Sequence, residues 1–517
     1  MTIPERHEAA PPSARRVGPT RIGLVVVVTG FVISRVVYAL VGVRFDAVAI
    51  QPTQAIQDQW QLLDLGLLRH DLWSSIWYLH SQPPLYNLFC GLLLALPRSF
   101  QVPVAASCFL VLGAAFAVAT YLLALELRLP AWASATVALL VVLNPATILY
   151  ENWLSWSYPA AVFVTVGAYL LARFLRDRRW GWGVGAFGCF AVVLLDDSVF
   201  QWIWLVLLPV GLVLVARVGW RRIASVAVVP LLVVGAWYVK DAVQFGTDTT
   251  SSWVGMNLAS TTVGPAPRAQ LQEMVRQGIL SPIVLVSPFS AVGVFVPKYT
   301  RPAHTGVAAL DERTTSNGGT NFNNIAYIDV SRQYLSNDLT YLRHHPGRYL
   351  HNVVTSMRIW VVPSDQYPFL NSNFVHITPY ADAFDAGVLW QATSAPTLAP
   401  GFEPALGGPP PSGGEMSYLK MLEYVLAIFV FPVAVVYRRG DRVFAGVGVV
   451  LWLTVVYDLL TTSLISLGEN NRFSFELGSL PALAAAGALA FVVGRGRARW
   501  ARRRGAPAEG RSVPQSI

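Results

Sequence analysis

Long apolar runs alternate with short polar breaks along most of the chain. Runs at 22–43, 103–126, 131–149, 158–175, 183–197, 199–217, 223–240, 417–437, 443–467 and 477–494 each approach the ~20 residues that a bilayer core demands. Each is predicted to be a helix, because only helices and closed barrels satisfy every backbone polar group in lipid. A further apolar stretch at 84–97 makes a helix only about 21 Å long. That is short of the ~30 Å hydrocarbon core, so it is expected to stop without crossing. The pattern changes at 241–415, a stretch rich in Asn, Thr, Pro and Gly. Irregular structure with a few helices is expected there, with 338–354 reading as a helix interrupted at Pro346. Residues 399–414 read as a flexible Pro-Gly link. The expected fold is an all-α polytopic membrane protein with about 10–11 spans and a long extracytoplasmic loop region.

Composition agrees. The chain has 517 residues, 54% hydrophobic and only 13% charged, with a mean hydropathy of +0.48. Soluble domains average about a quarter charged residues, which excludes an ordinary soluble enzyme. The net charge of +9 invites a nucleic-acid partner, but its distribution argues against one. Arg15, Arg16 and Arg21 precede the first run, and Arg495, Arg497, Arg499, Arg502, Arg503 and Arg504 follow the last. With a cytoplasmic N-terminus and a non-crossing 84–97, Arg128, the Arg173–Arg179 cluster, Arg217, Arg221, Arg222, Arg438, Arg439 and Arg442 all fall on the cytoplasmic side. That is the positive-inside rule. Cys90, Cys108 and Cys189 lie inside apolar runs, so no disulfide framework is expected. The organisation reads as a disordered cytoplasmic tail (1–20), a membrane module (21–240) with a first outer loop at 44–82, an extracytoplasmic region (241–415), C-terminal spans (416–495) and a basic cytoplasmic tail (496–517).

The outer breaks carry the candidate chemistry. Asp46, in Arg44-Phe45-Asp46, sits just past the first span, where a carboxylate can take a proton from a polar acceptor; an ion pair with Arg44 is the plainer account. Trp60, Trp73 and Trp77, interleaved with Asp58, Asp64, His70 and Asp71, suit interfacial helices. The double proline in His80-Ser81-Gln82-Pro83-Pro84-Leu85-Tyr86 should open a helix. Its N-terminus, with His80 and Gln82, is a place for a phosphate. Tyr150-Glu151-Asn152-Trp153 offers a second acid, and Asp196-Asp197 reads as a solvated helix end. Arg35, Asp458 and Glu423 lie inside spans, where ionisable groups need partners or serve an ion pathway. No His-Glu-x-x-His, Walker loop, Gly-x-Gly-x-x-Gly or Asp-x-Asp is present. A soluble nucleotide-sugar donor is therefore not expected.

Two motifs carry a resemblance. Asp46 in the first outer loop, followed by Gln82-Pro83-Pro84-Leu85-Tyr86, and Gly468-Glu469-Asn470-Asn471-Arg472-Phe473 before Leu480-Pro481-Ala482-Leu483, are similar to motifs of the GT-C membrane glycosyltransferases. The protein O-mannosyltransferases and lipid A aminoarabinose transferases of that class are the nearest in pattern. The chain departs from them at Ala47, where an acid is usual, at Gln82, where a basic residue is usual, and at Glu476, where a proline is usual. The resemblance implies a multi-pass cell-membrane enzyme with its site on the extracytoplasmic face. It implies transfer of a sugar from a polyprenyl-phosphate donor to a cell-envelope glycan, lipid or protein. Asp46 and Glu151 are then the catalytic acids, and Arg472, His80 and Gln82 bind the donor phosphate. Tyr86, Tyr150, Asn152 and Asn471 line the substrate. No metal site is assigned, although Glu151 offers a ligand should a divalent metal take part. Two other readings stay open: a transporter or flippase of a lipid-linked glycan, and a catalytically degenerate GT-C scaffold.

Overall fold

A computed structural model describes residues 18–51, 61–391 and 415–503. Most of both tails, Asp58, Trp60 and the 399–414 link lie outside the described residues. The principal helices are α1 (Pro19–Val41), α2 (Pro84–Leu94), α3 (Arg98–Glu126), α4 (Ala131–Val142), α5 (Pro145–Glu151), α6 (Ser157–Asp177), α7 (Trp180–Asp196), α8 (Trp202–Leu214), α9 (Trp220–Phe245), α10 (Ala326–His344), α11 (Pro346–Trp360), α12 (Asn371–Gly387), α13 (Tyr418–Tyr437), α14 (Arg442–Ile465), α15 (Asn470–Glu476) and α16 (Leu480–Arg503). Among the described residues the only β pairing is two isolated bridges.

Among the described residues seven helices are long and apolar enough to cross a membrane, or up to eight if α4 and α5, bent by 56° at their break, form one span. The apolar helices α2, α7 and α8 are shorter. Every apolar run of the sequence is thus a helix, and the chain is a multi-pass membrane protein. The 84–97 stretch contains the 11-residue α2. Local chemistry sets the boundaries. Pro83 is extended and Pro84 begins α2. Gly42 closes α1 with φ +108, a conformation that disfavours any side chain. Pro346 separates α10 from α11.

Contacts between elements sort into two ends. At one end Tyr121 donates to the Thr20 carbonyl (2.8 Å), Arg128 pairs with Asp441 (2.9 Å) and Arg176 pairs with Glu126. These are segments that the arginine distribution put on one side. At the other end Lys240 donates to the Leu79 carbonyl (2.9 Å) and Tyr349 to that of Leu464 (2.9 Å). The first loop forms two short helices there, Leu65–His70 and Leu72–Trp77. Trp73 and Trp77 stay exposed, as suits headgroup depth.

The described part of the 241–415 stretch, 241–391, is more ordered than its composition suggested. It builds its own core from Trp253, Met256, Phe295, Tyr327, Tyr334 and Tyr341. The three tyrosines recur every seven residues, so they share one face of α10. That polar-looking helix buries an aromatic stripe. The interrupted helix at Pro346 is present but longer on both sides, from Ala326 to Trp360.

One intramembrane charge has found its partner. Arg35 of α1 grips Glu151 at the end of α5 with two hydrogen bonds (2.9 and 2.6 Å), and Tyr158 donates to the same carboxylate (2.7 Å). Removing one partner strands the other in a buried place. Glu151→Ala is expected to cost about 3–5 kcal/mol of stability, read by equilibrium unfolding in detergent. The Arg35→Leu/Glu151→Leu double variant should recover part of that loss.

Candidate functional site

Asp46 is held by backbone pairing. Its N–H donates to the Asn152 carbonyl (2.7 Å), and the Leu154 N–H donates to its own carbonyl (2.8 Å). This forms a parallel bridge to Trp153. Asn373 of α12 continues the pairing: its side chain accepts from the Arg44 N–H (2.9 Å) and donates to the Arg44 carbonyl (2.7 Å). The half-buried Asp46 carboxylate accepts from the Val48 N–H (2.9 Å) and from the Ser372 hydroxyl (2.7 Å). Arg44 does not pair with it; its guanidinium turns to the carbonyls of Ala39 and Val43.

An aromatic cluster lies beside the bridge. Tyr150 stacks on Phe475 (centroids 3.9 Å apart, 11° between planes), and Trp153 stacks on Phe369 (6.3 Å, 13°). Tyr86 of α2 meets Trp156 edge-on (5.4 Å) and donates to the Leu154 carbonyl (3.2 Å). Tyr367 contacts both Tyr150 and Trp153. Asn152 supplies the carbonyl of the bridge, and Asn471 donates to the Pro363 carbonyl (3.4 Å). The expected substrate residues Tyr86, Tyr150 and Asn152 thus share one cluster with Asp46.

Arg472 joins the cluster from α15. Its guanidinium packs against Trp156 (5.1 Å) and Phe473 (4.4 Å). Nη1 donates to Glu476 (2.5 Å) and to the Ser157 hydroxyl (3.2 Å). Nε and Nη2 donate to one oxygen of Glu469 (2.9 and 2.7 Å). Burial alone would lower its pKa, but the charges of Glu476 and Glu469 hold it well above the ordinary value. Glu476, where a proline was usual, is fully buried. Burial first, then the adjacent Asp197, push its carboxyl well above the usual range, against the pull of Arg472. Asp196 and Asp197 are buried rather than solvated, which corrects the expectation of a free helix end.

Two other expected site residues, Glu151 and His80, are engaged by neighbouring groups. Glu151 gives both oxygens to Arg35 and one also to Tyr158, forming a buried ion pair. His80 is 1% exposed, with Nδ1 against the Ser252 hydroxyl (2.8 Å) and Nε2 against the Asn323 carbonyl (2.9 Å). Burial pushes its pKa down to about 3, and the ring fastens Ser252 and Asn323 to the first loop. Gln82 is buried beside it. Among the described residues no three His, Cys, Asp or Glu side chains are grouped to hold a metal ion.

Sequence reading missed Ser372, Asn373, Tyr367 and Phe369, which reach the site from the turn 364–370 and the start of α12. No local motif marks them. A second buried pair steadies that turn. Gln366 donates to Asp385 (3.2 Å), and one oxygen each of Asp365 and Asp385 has no hydrogen-bond partner among the described residues. Burial, and then Asp385, push Asp365 well above the usual carboxylate range; burial pushes Asp385 up to about 7. A carboxyl whose folded pKa is raised favours folding in its protonated form. Its contribution is full below the ordinary value of 3.8 and is lost as pH rises through about 7. Thermal stability should therefore fall across that window, and Asp385→Asn should flatten the fall. An unchanged slope in the variant would contradict the assignment.

No family model and no curated protein sequence matches the chain. Among solved structures it is similar to the oligosaccharyltransferase of Archaeoglobus fulgidus tethered by a disulfide bond to an acceptor peptide containing the NVT sequon. The identity is 13% and the TM-score 0.37, over 94% of this chain and 52% of that one. This chain thus spans about half the length of that enzyme. A likeness of that size carries no argument about residues or reaction.

Proposed function

We propose that the chain is a GT-C-like glycosyltransferase that moves a sugar from a polyprenyl-phosphate donor to an extracytoplasmic acceptor by direct displacement. One observation carries this reading. The bridge that fixes Asp46 and the helix that carries Arg472 meet the same aromatic cluster through Trp153, Trp156 and Tyr367. Asp46 and Arg472 belong to the two motifs that resemble the GT-C class. Aromatic faces suit the apolar faces of a sugar ring, and polar groups at either side fix its orientation.

In the proposed reaction the acceptor hydroxyl oxygen attacks the anomeric carbon, and its proton passes to the Asp46 carboxylate. The bond from that carbon to the phosphate oxygen breaks, and the phosphate leaves with the electron pair. A phosphate is a good leaving group, so no covalent enzyme intermediate is required. Ser372, which donates to Asp46, orients the base. Arg472 faces the departing charge. The guanidinium edge that a phosphate would take is the one now held by Glu469, whose side chain is 20% exposed against 0% for Glu476. Glu469 is the group a phosphate would displace. A polyprenyl donor reaches the site from the membrane itself, which fits a chain built of spans.

A transporter or flippase for a lipid-linked glycan is the competing reading. Asp458 favours it, because both its carboxylate oxygens are buried without a hydrogen-bond partner among the described residues. Arg35 does not, since Glu151 occupies it.

Purified protein incubated with radiolabelled polyprenyl-phosphate sugars and cell-envelope acceptors tests the choice. Asp46→Asn should cut transfer by about 10²–10⁴-fold with unchanged thermal unfolding. Transfer at the wild-type rate would remove Asp46 from the chemistry, and transport that depends on Asp458 but not Asp46 would favour the competitor. Glu469→Gln should lower the KM for donor several-fold by freeing the guanidinium edge, while Arg472→Gln should raise it.

A further inference from the structure

Helix α11 is tied at both ends to the ends of membrane spans. Near its start Tyr349 donates to the carbonyl of Leu464, in the last turn of α14 (2.9 Å). In its third turn Ser356 donates to the Ser466 carbonyl just past that span (3.0 Å). At its finish Trp360 packs edge-on against Tyr424 in the first turns of α13 (5.7 Å), and the next carbonyl, of Val361, accepts from the Ser417 N–H (2.9 Å). A helix of 15 residues is about 22 Å long. Pinned this way, it lies across the ends of two spans, along the membrane surface.

Its two faces differ. Asn352, Val353, Ser356 and Ile359 are buried against the protein. The other side exposes Leu350 (62%), Val354 (41%), Arg348, His351 and Arg358, and Arg343 is exposed in the last turn of α10, just before the break at Pro346. No acid occurs within α11. Arg348 also donates to Gln270 on the surface (2.7 Å). Leu460 and Leu464 are also exposed, near the end of the span to which Tyr349 is tied. Apolar side chains flanked by cations on a surface-lying helix match the chemistry of a headgroup layer, apolar below and phosphate-bearing above.

We propose that the exposed stripe of α11 beds in the outer phospholipid headgroup layer, where Arg343, Arg348 and Arg358 bind the phosphates of anionic phospholipids. The stripe is exposed, whereas Arg472 is 3% exposed within its own cluster. The proposal therefore concerns bulk membrane lipid, not the donor, and does not depend on the glycosyltransferase reading.

The test uses the full chain in nanodiscs of phosphatidylcholine containing spin-labelled phosphatidylglycerol. The wild type should select phosphatidylglycerol over labelled phosphatidylcholine, less so at high salt. Arg343→Gln/Arg348→Gln/Arg358→Gln should lose several-fold of that preference with unchanged thermal unfolding. The arginines of the opposite end also attract anionic lipid, so a local readout is needed. A nitroxide on Val354→Cys, with the three native cysteines replaced by serine, should be relaxed more by oxygen than by a water-soluble nickel complex. Dominant relaxation by the nickel complex would place the stripe in water and overturn the proposal. So would an unchanged lipid preference in the triple variant, or selection of polyprenyl phosphate with none of phosphatidylglycerol.

Discussion

Three distant segments are held together by a few backbone hydrogen bonds at Asp46. The bridge to Trp153 takes up its N–H and carbonyl, and Asn373 takes up those of Arg44. Buried backbone groups must be paired, so this short stretch cannot slide without leaving donors and acceptors unmet. A shift of one residue would turn the carboxylate to the opposite side. The pairing therefore fixes where Asp46 points, and it fixes Trp153, from which the aromatic cluster grows towards Arg472. The surrounding helices supply rigid ends on which these loops rest.

The low charged fraction hides an economy of burial. Arg472 is 3% exposed and Glu476 fully buried, and a lone ion there would carry a heavy desolvation penalty. The cost is offset by two carboxylates, a hydroxyl and aromatic faces around one guanidinium. The same logic holds at Arg35, where Glu151 and Tyr158 close the ion pair. The two sites differ in one respect that matters for chemistry. Arg35 is sealed by its partner, whereas the outer edge of Arg472 is covered only by Glu469, the most exposed acid of the pair that holds it.

The spans were legible in the sequence because lipid imposes a local rule: about 20 apolar residues and a self-satisfied backbone. The start of α2 was legible too, since Pro83 and Pro84 permit little else. Asp46 and Arg472 stood out because they sit in the two motifs that resemble the GT-C class. Their partners did not. Ser372 is 326 positions from Asp46, and Glu151 is 116 from Arg35; no periodicity links such pairs. The neighbours of His80, Ser252 and Asn323, are equally distant in sequence and come from a unit whose polar composition hides its fold. That unit did leave a signal in the seven-residue spacing of Tyr327, Tyr334 and Tyr341. Its polar composition masked the stripe.

The most direct test of the central claim is a density map of the full chain bound to a polyprenyl phosphate. The proposed reaction predicts phosphate density on the Nε and Nη2 edge of Arg472, with Glu469 displaced and the Asp46–Ser372 contact intact. Phosphate bound elsewhere, with the Arg472–Glu469 pair undisturbed, would contradict it.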